Sequence, residues 1–99
     1  MKFYIGQQVE HIRFHYRGVI YDVDQEFIGS EEWYERMAVS KPPKDQPWYH
    51  VLVHEADHTT YVAERNLRPY EGKDYIDHPL LPSFFDGFKE GTYFRRDRH

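Results

Sequence analysis

The 99-residue sequence contains no cysteine, and this absence excludes several kinds of site. Disulfides, thiolate-ligated zinc, iron–sulfur clusters and cysteine catalysis all need that side chain. No apolar run comes near the roughly 20 residues that cross a membrane, and the N-terminal segment lacks the apolar stretch of a secretion signal. These absences predict a soluble protein of the cytoplasm with no membrane partner.

Catalytic motifs are also missing. No Gly-x-Ser-x-Gly elbow, P-loop or Gly-x-Gly-x-x-Gly loop occurs. His50, His54 and His58 recur every four residues, which on a helix would suit two ligands of one metal ion. These histidines fall on a predicted strand and loop, where four residues span about 13 Å, too far for two of them to share an ion directly. We therefore predict a non-enzymatic protein without a metal or another cofactor.

A surplus of basic residues, usual in nucleic-acid-binding proteins, is absent as well. The formal net charge at pH 7 is −4, from 13 Lys and Arg against 17 Asp and Glu. Residues 25–46 carry −2 and residues 47–78 carry −3, whereas residues 1–24 are neutral and residues 79–99 carry +1. The only basic run lies in the tail at 92–99. Any DNA-binding surface must therefore come from the first strands and the last few residues.

What the sequence does contain is short alternating segments rich in β-branched and aromatic residues, which predict a mainly β protein. Aromatic residues make up 18% of the chain, a high share for so short a sequence. We predict that Val19, Tyr21 and Val23 share one face of their strand, and that Gly18 marks a bulge or a positive φ. The predicted strands are 8–13, 18–24, 48–54 and 59–63.

Two short helices are predicted between and after these strands. The long connection at 25–46 contains Ser30, a suitable N-cap for a helix from Glu31 to about Met37; connections of this length are often functional. Near the C-terminus, five apolar residues recur at helical spacing, which predicts a second short helix that packs on the sheet. Asp77 would cap this helix and Gly91 would follow its end. The five residues are Leu80, Leu81, Phe84, Phe85 and Phe88.

Several arginines lie close to aromatic residues, a combination that suits unstacked bases or flexible ligands. The alternative is that the rings pack in the core and only their polar tips reach solvent. Tyr16, Trp48 and Tyr34 are the aromatic residues most worth testing. The candidate DNA- or partner-binding residues are Arg13, Tyr16, Arg17, Trp48, Arg65, Arg68, Arg95 and Arg96.

Two blocks of sequence, in matching order, resemble the YccV-like family, also called the HspQ or hemimethylated-DNA-binding domain. The first is Gly6-Gln7-Gln8-Val9-Glu10-His11 with Tyr16-Arg17-Gly18-Val19-Ile20 and Asp24. The second is Asp45-Gln46-Pro47-Trp48-Tyr49-His50-Val51-Leu52-Val53 with Tyr61-Val62-Ala63-Glu64-Arg65-Asn66-Leu67. A third stretch resembles the longer form of the domain found in a eukaryotic F-box protein: Ile76-Asp77-His78-Pro79-Leu80, Phe84-Phe85 and Gly91-Thr92-Tyr93.

This resemblance implies one YccV-like domain over residues 1–99, folded as a small SH3-like barrel without catalytic residues. It implies two candidate partners, double-stranded and hemimethylated DNA, or a protease or client protein for which the chain acts as an adaptor in protein quality control and stress response. The resemblance is also compatible with a homo-oligomer. The matched histidines His11, His50 and His78 are expected to be buried and to tie backbone groups together across loops rather than to bind a ligand.

Overall fold

The structure is a computed structural model that describes residues 1–95 of the chain. Seven β-strands, two short α-helices and one 3-10 turn are present in this part. The strands are β1 (Gln8–His11), β2 (Arg17–Asp24), β3 (Trp48–Val53), β4 (Thr59–Ala63), β5 (Leu67–Pro69), β6 (Gly87–Lys89) and β7 (Thr92–Phe94). The helices are α1 (Glu31–Met37) and α2 (Leu81–Phe84), and the 3-10 turn is Glu64–Asn66. Neither helix is long or apolar enough to span a bilayer.

The strands form one antiparallel five-stranded sheet and one hairpin. The order in the large sheet is β4-β3-β2-β1-β5, and β6 pairs with β7. The mainly β prediction is confirmed, and sequence reasoning missed the short strands β5, β6 and β7. Within residues 1–95 no ladder joins the outer strands β4 and β5, so the large sheet is hydrogen-bonded as an open sheet rather than as a closed barrel.

A bulge in β2 changes which residues share a face. The register to β3 shifts between Ile20 and Asp22. As a result Ile20 and Val23 pack in one cluster, whereas Val19 packs in another, so the prediction that Val23 shares a face with Val19 is wrong. Gly18 lies outside the bulge and has no positive φ. It is needed for close approach, because a Cβ there would lie 2.4 Å from the carbonyl oxygen of Leu52.

The two faces of the sheet bury two separate apolar clusters, each of which draws on β2 and β3. One face packs under the N-terminal segment through Phe3, Val9, Ile20, Tyr49, Val51, Val62 and Leu67. The other packs under the C-terminal segment through Val19, Leu52, Ile76, Phe85 and Tyr93. Each buried side chain of this size contributes about 1.5–3 kcal/mol relative to its exposed state. The small domain therefore depends on segments outside the main sheet to cover both faces.

Helix α1 agrees with its prediction. It spans Glu31–Met37, and the Ser30 hydroxyl oxygen accepts a hydrogen bond from the Trp33 amide at 3.1 Å. The helix covers a third cluster, formed by Tyr34, Ala38, Trp48 and Ala63, with Phe27, Trp33 and Tyr61 partly buried against it. Through this cluster the long connection at 25–46 is fixed to β3 and β4.

The second helix is shorter than predicted. It ends at Phe84, its N-cap position is Leu80 rather than Asp77, and Phe85 is extended. Glu90 and Gly91, both at positive φ, join Lys89 to Thr92 in a two-residue hairpin turn, which requires such backbone angles. Four of the five predicted apolar residues pack on the sheet, because Phe85, Leu81, Phe84 and Phe88 belong to the cluster around Val19 and Leu52. The prediction is wrong for Leu80, whose side chain is exposed.

Candidate ligand pocket

A cavity of about 360 Å³ lies between the β1–β2 loop, the C-terminal end of α1, and strands β3 and β4. We call it the aromatic pocket, because seven of its lining residues carry aromatic or imidazole rings. Those residues are His11, Phe14, Tyr16, Trp33, Trp48, His50 and Tyr61. The other lining residues are Arg13, Met37, Ala38, Val39, Ser40, Pro42, Thr59, Thr60, Val62, Ala63 and Asn66.

Trp48 forms the floor of the aromatic pocket. Its side chain is only 1% exposed, and its indole N–H donates to the Pro43 carbonyl oxygen at 3.1 Å. The ring packs against Phe27 at 4.9 Å and Tyr61 at 5.2 Å between centroids. Trp48 is thus a core residue that closes the pocket and has no free face for stacking.

One carboxylate positions two walls of the pocket. The Tyr61 hydroxyl donates to Asp24 Oδ2 at 2.7 Å, and His50 Nε2 lies 2.9 Å from the same oxygen. Burial and the hydrogen bond to Asp24 raise the pKa of Tyr61, so its hydroxyl keeps its proton. The Tyr61 ring also contacts Trp33 edge-to-face at 5.6 Å. This arrangement fixes both rings before any ligand arrives.

His11 holds the loop at the pocket mouth. Its Nδ1 accepts hydrogen bonds from the backbone amides of Arg13 at 3.1 Å and Phe14 at 3.0 Å. Burial, with the charges of Arg13 and His15, lowers its pKa, so the ring is neutral as these bonds require. The Phe14 ring stacks on the imidazole at 4.6 Å. His11 is buried itself, whereas Arg13 and Phe14 on the same loop are exposed.

The predicted role in tying backbone groups is confirmed for His11 and His78, whereas the partly buried His50 binds a side-chain carboxylate instead. His11 binds two backbone amides of its own loop, and His50 binds Asp24. His78 Nε2 lies 2.9 Å from the His58 carbonyl oxygen, and its Nδ1 accepts from the Leu80 amide at 3.1 Å. Each imidazole therefore joins groups from neighbouring segments.

The residues that line the pocket carry a formal charge opposite in sign to the net charge of the chain. Arg13 contributes the one formal charge among the lining residues, which contain no Asp or Glu. A second guanidinium adjoins the rim, because Arg65 Nη2 donates to the carbonyl oxygen of Ser40 at 2.9 Å. Next to it, the Asn66 amide donates to Ser40 Oγ at 3.2 Å. The pocket thus offers ring faces, small polar groups and a local positive charge.

The rim of the pocket also exposes apolar side chains. Phe14, Met37 and Val39 are 59%, 56% and 64% exposed. All three line the same cavity. Exposed apolar residues are unremarkable when they are scattered, but grouped around a cavity they indicate a contact surface.

The structure brings three of the eight predicted binding residues together at this pocket, namely Arg13, Tyr16 and Trp48. The Tyr16 hydroxyl is 2.8 Å from Thr60 Oγ1, which ties the β1–β2 loop to β4. Arg65 lies at the rim. Tyr34, the third aromatic residue singled out from the sequence, does not line the cavity; it is buried and its hydroxyl donates to the Pro42 carbonyl oxygen at 2.6 Å.

The other predicted residues lie apart from the pocket. Arg17 donates to Gln8 Oε1 and to the Tyr75 carbonyl oxygen, both at 2.7 Å, and its guanidinium stacks over Tyr70. Arg68 Nε is 3.6 Å from Glu10 Oε1. Arg95 is exposed just after β7. Arg96 lies outside the described residues, as does half of the predicted basic tail.

Sequence reasoning missed most of the aromatic pocket. It did not predict that the rings of Phe14, Trp33 and Tyr61 line a binding site, nor that Met37 and Val39 lie at its rim. The only usable signal was the length of the connection at 25–46, which contains Trp33, Met37 and Val39.

Comparison with known proteins gives one finding. The family model described as "YccV-like: Hemimethylated DNA-binding protein YccV like" matches residues 1–92. The match includes every described residue that lines the aromatic pocket.

Proposed function

Because the chain belongs to the YccV-like family of hemimethylated-DNA-binding proteins, we propose that it binds duplex DNA and prefers hemimethylated sites. The proposal assigns no catalytic step to the chain and places its activity in the cytoplasm. The surface assigned to DNA is the mouth of the aromatic pocket.

The observation that carries this proposal is the charge and chemistry of that mouth. Phosphate contacts fix a protein on a duplex, whereas contacts with base edges and methyl groups carry the sequence information. Arg13 and Arg65 supply guanidinium groups at the mouth, and the lining residues themselves include no Asp or Glu. The nearby Asp24 carboxylate is hydrogen-bonded to Tyr61 and His50. The rings supply the apolar surface that a methyl group needs.

A methyl group limits how strong the preference for methylated sites can be. One methylene in an apolar pocket changes affinity by about 10- to 200-fold. We therefore expect hemimethylated DNA to bind about tenfold more tightly than unmethylated DNA of the same sequence.

The test is binding of labelled hemimethylated, unmethylated and fully methylated duplexes, with adenine and cytosine methylation examined separately and at several salt concentrations. A preference for one hemimethylated duplex, together with weaker binding at higher salt, is the expected result. Equal and weak binding to all duplexes would refute the proposal.

A second function is favoured by the apolar rim. Exposed Phe14, Met37 and Val39 suit an apolar segment of another protein, as an adaptor for ATP-dependent proteolysis would need. In that case the chain would change the rate at which a partner protease degrades model clients. Phe14→Ala should abolish that change, and no effect of the wild-type chain on any client would refute this second function.

A further inference from the structure

We propose that the aromatic pocket receives a single base that has been rotated out of the DNA duplex. The inference rests on the proposed DNA binding and names the ligand of the pocket as one unstacked, methylated base. It accounts for a feature that surface contact with a duplex leaves unexplained, namely a preformed cavity behind the basic mouth.

The size of the cavity supports a ligand of this kind. At about 360 Å³ it lies at the lower end of the roughly 300–1,000 Å³ typical of small-molecule sites. It is far larger than a methyl group requires. A single base with part of its sugar is the portion of DNA that matches it.

The lining offers aromatic rings from more than one segment of the chain. Trp33 and Tyr61 contact each other edge-to-face, and Phe14 and Tyr16 come from the β1–β2 loop. Unlike Trp48, these four side chains keep part of their surface exposed. Proteins that take up unstacked bases hold them between aromatic or apolar side chains in the same way.

Polar groups at the edge of the cavity suit the hydrogen-bonding edge of a base. Asn66 donates to Ser40 Oγ through its amide nitrogen, and its Oδ1 accepts no hydrogen bond from residues 1–95. Thr60 provides a hydroxyl beside Tyr16. Arg13 at the mouth is placed for the phosphate of the extruded nucleotide, since no lining carboxylate competes for it.

The first experiment uses 2-aminopurine placed directly 3′ to the methylated base in the preferred hemimethylated duplex. If that base leaves the stack, its neighbour loses a stacking partner and fluorescence should rise severalfold on binding. A rise is expected with wild-type protein. Tight binding with unchanged fluorescence overturns the inference and leaves the proposed function intact, whereas no binding to any duplex overturns both.

The second experiment uses a mismatched duplex, in which less free energy is needed to rotate the methylated base out of the stack. A mismatch at the methylated base removes its pairing energy, so a protein that extrudes that base should bind the mismatched duplex about tenfold more tightly. The same mismatch moved six base pairs away is the matched DNA control. Equal affinity for the two mismatched duplexes would overturn the inference.

Two protein variants test whether the fluorescence rise and the mismatch advantage depend on the aromatic pocket. Phe14→Ala removes an exposed ring from the mouth and should abolish the mismatch advantage and the fluorescence rise. Phe94→Ala removes an exposed ring from β7, outside the pocket, and should preserve both. If the two variants behave alike, the base does not enter this cavity.

Discussion

At the scale of single residues, a neutral imidazole organises the pocket mouth. His11 Nδ1 must be unprotonated to accept hydrogen bonds from the amides of Arg13 and Phe14. The nearby charges of Arg13 and His15 add to burial in lowering its pKa. A fall in pH should therefore destabilise this loop, because protonation of His11 Nδ1 would break both hydrogen bonds.

This arrangement predicts a pH dependence of stability. The folded state binds the His11 proton less readily than the unfolded state, whose pKa is about 6.5. The stabilisation from His11 is thus complete above that pH and is lost as the pH falls below it.

Urea unfolding between pH 7.5 and 5 tests the prediction. Wild-type protein should lose more free energy of unfolding on acidification than His11→Gln does. His58→Gln, a change at an exposed histidine, should follow wild type. Parallel pH profiles for wild type and His11→Gln would contradict the assigned role.

The Tyr61 hydroxyl is a second stabilising group at this scale. It donates to Asp24 and accepts from the Ile28 amide at 3.3 Å, so it joins β4 to the end of β2 and to the loop before α1. Tyr61→Phe should lower the free energy of unfolding by about 1–3 kcal/mol, because the partly buried Asp24 carboxylate and the exposed Ile28 amide each lose a hydrogen bond. Chemical denaturation measures the change. Tyr4→Phe, at a ring that is 53% exposed, should have almost no effect, and equal losses would show that the Tyr61 bonds contribute nothing.

At the scale of elements, the N-cap of α1 determines how firmly Trp33 and Met37 are held beside the pocket. Ser30→Ala removes the acceptor for the Trp33 amide and should cost about 1 kcal/mol, within the usual 0.5–2 kcal/mol. Thermal or urea unfolding measures the loss. Ser83→Ala, in α2 where no side-chain cap bond exists, is the control and should cost less. An unchanged stability of Ser30→Ala would mean that packing alone holds α1.

The helices and strands also show which sequence signals were sufficient to predict where an element begins and ends. The bounds of α1 and β4 followed from a capping serine and from a compact run of Thr, Tyr and Val, which are local signals. The C-terminal helix was overextended because Leu80, Phe84 and Phe88 fit a helical stripe. The two-residue turn at Glu90 and Gly91 instead forms a hairpin, and Phe85 reaches the sheet from extended backbone. The β2 bulge has no sequence signature at Tyr21 or Asp22, so the faces there could not be assigned.

At the scale of the whole molecule, the pocket could not be read from the sequence because four separated segments build it. They are 11–16, 33–42, 48–50 and 59–66. Proximity of arginine to aromatic residues along the chain proved ambiguous. It indicated Tyr16, which lines the pocket, but also Arg17, whose guanidinium is held by Gln8, Tyr75 and Tyr70.

The distribution of charge over the molecule leads to the last prediction. The net charge of −4 opposes DNA, so binding must depend on a few cations at the pocket mouth rather than on a broad basic face. Each neutralised phosphate adds about −0.9 to the slope of log K against log salt concentration, so contacts from Arg13 and Arg65 give a slope of about −2.

Arg13→Ala should weaken binding to every duplex and reduce the magnitude of that slope by about 0.9, because it removes one phosphate contact. Lys89→Ala removes the same charge from β6, outside the pocket, and should leave the slope unchanged. Fluorescence anisotropy across a salt series measures both. If Arg13→Ala keeps the wild-type slope, Arg13 makes no phosphate contact and DNA approaches another face of the molecule.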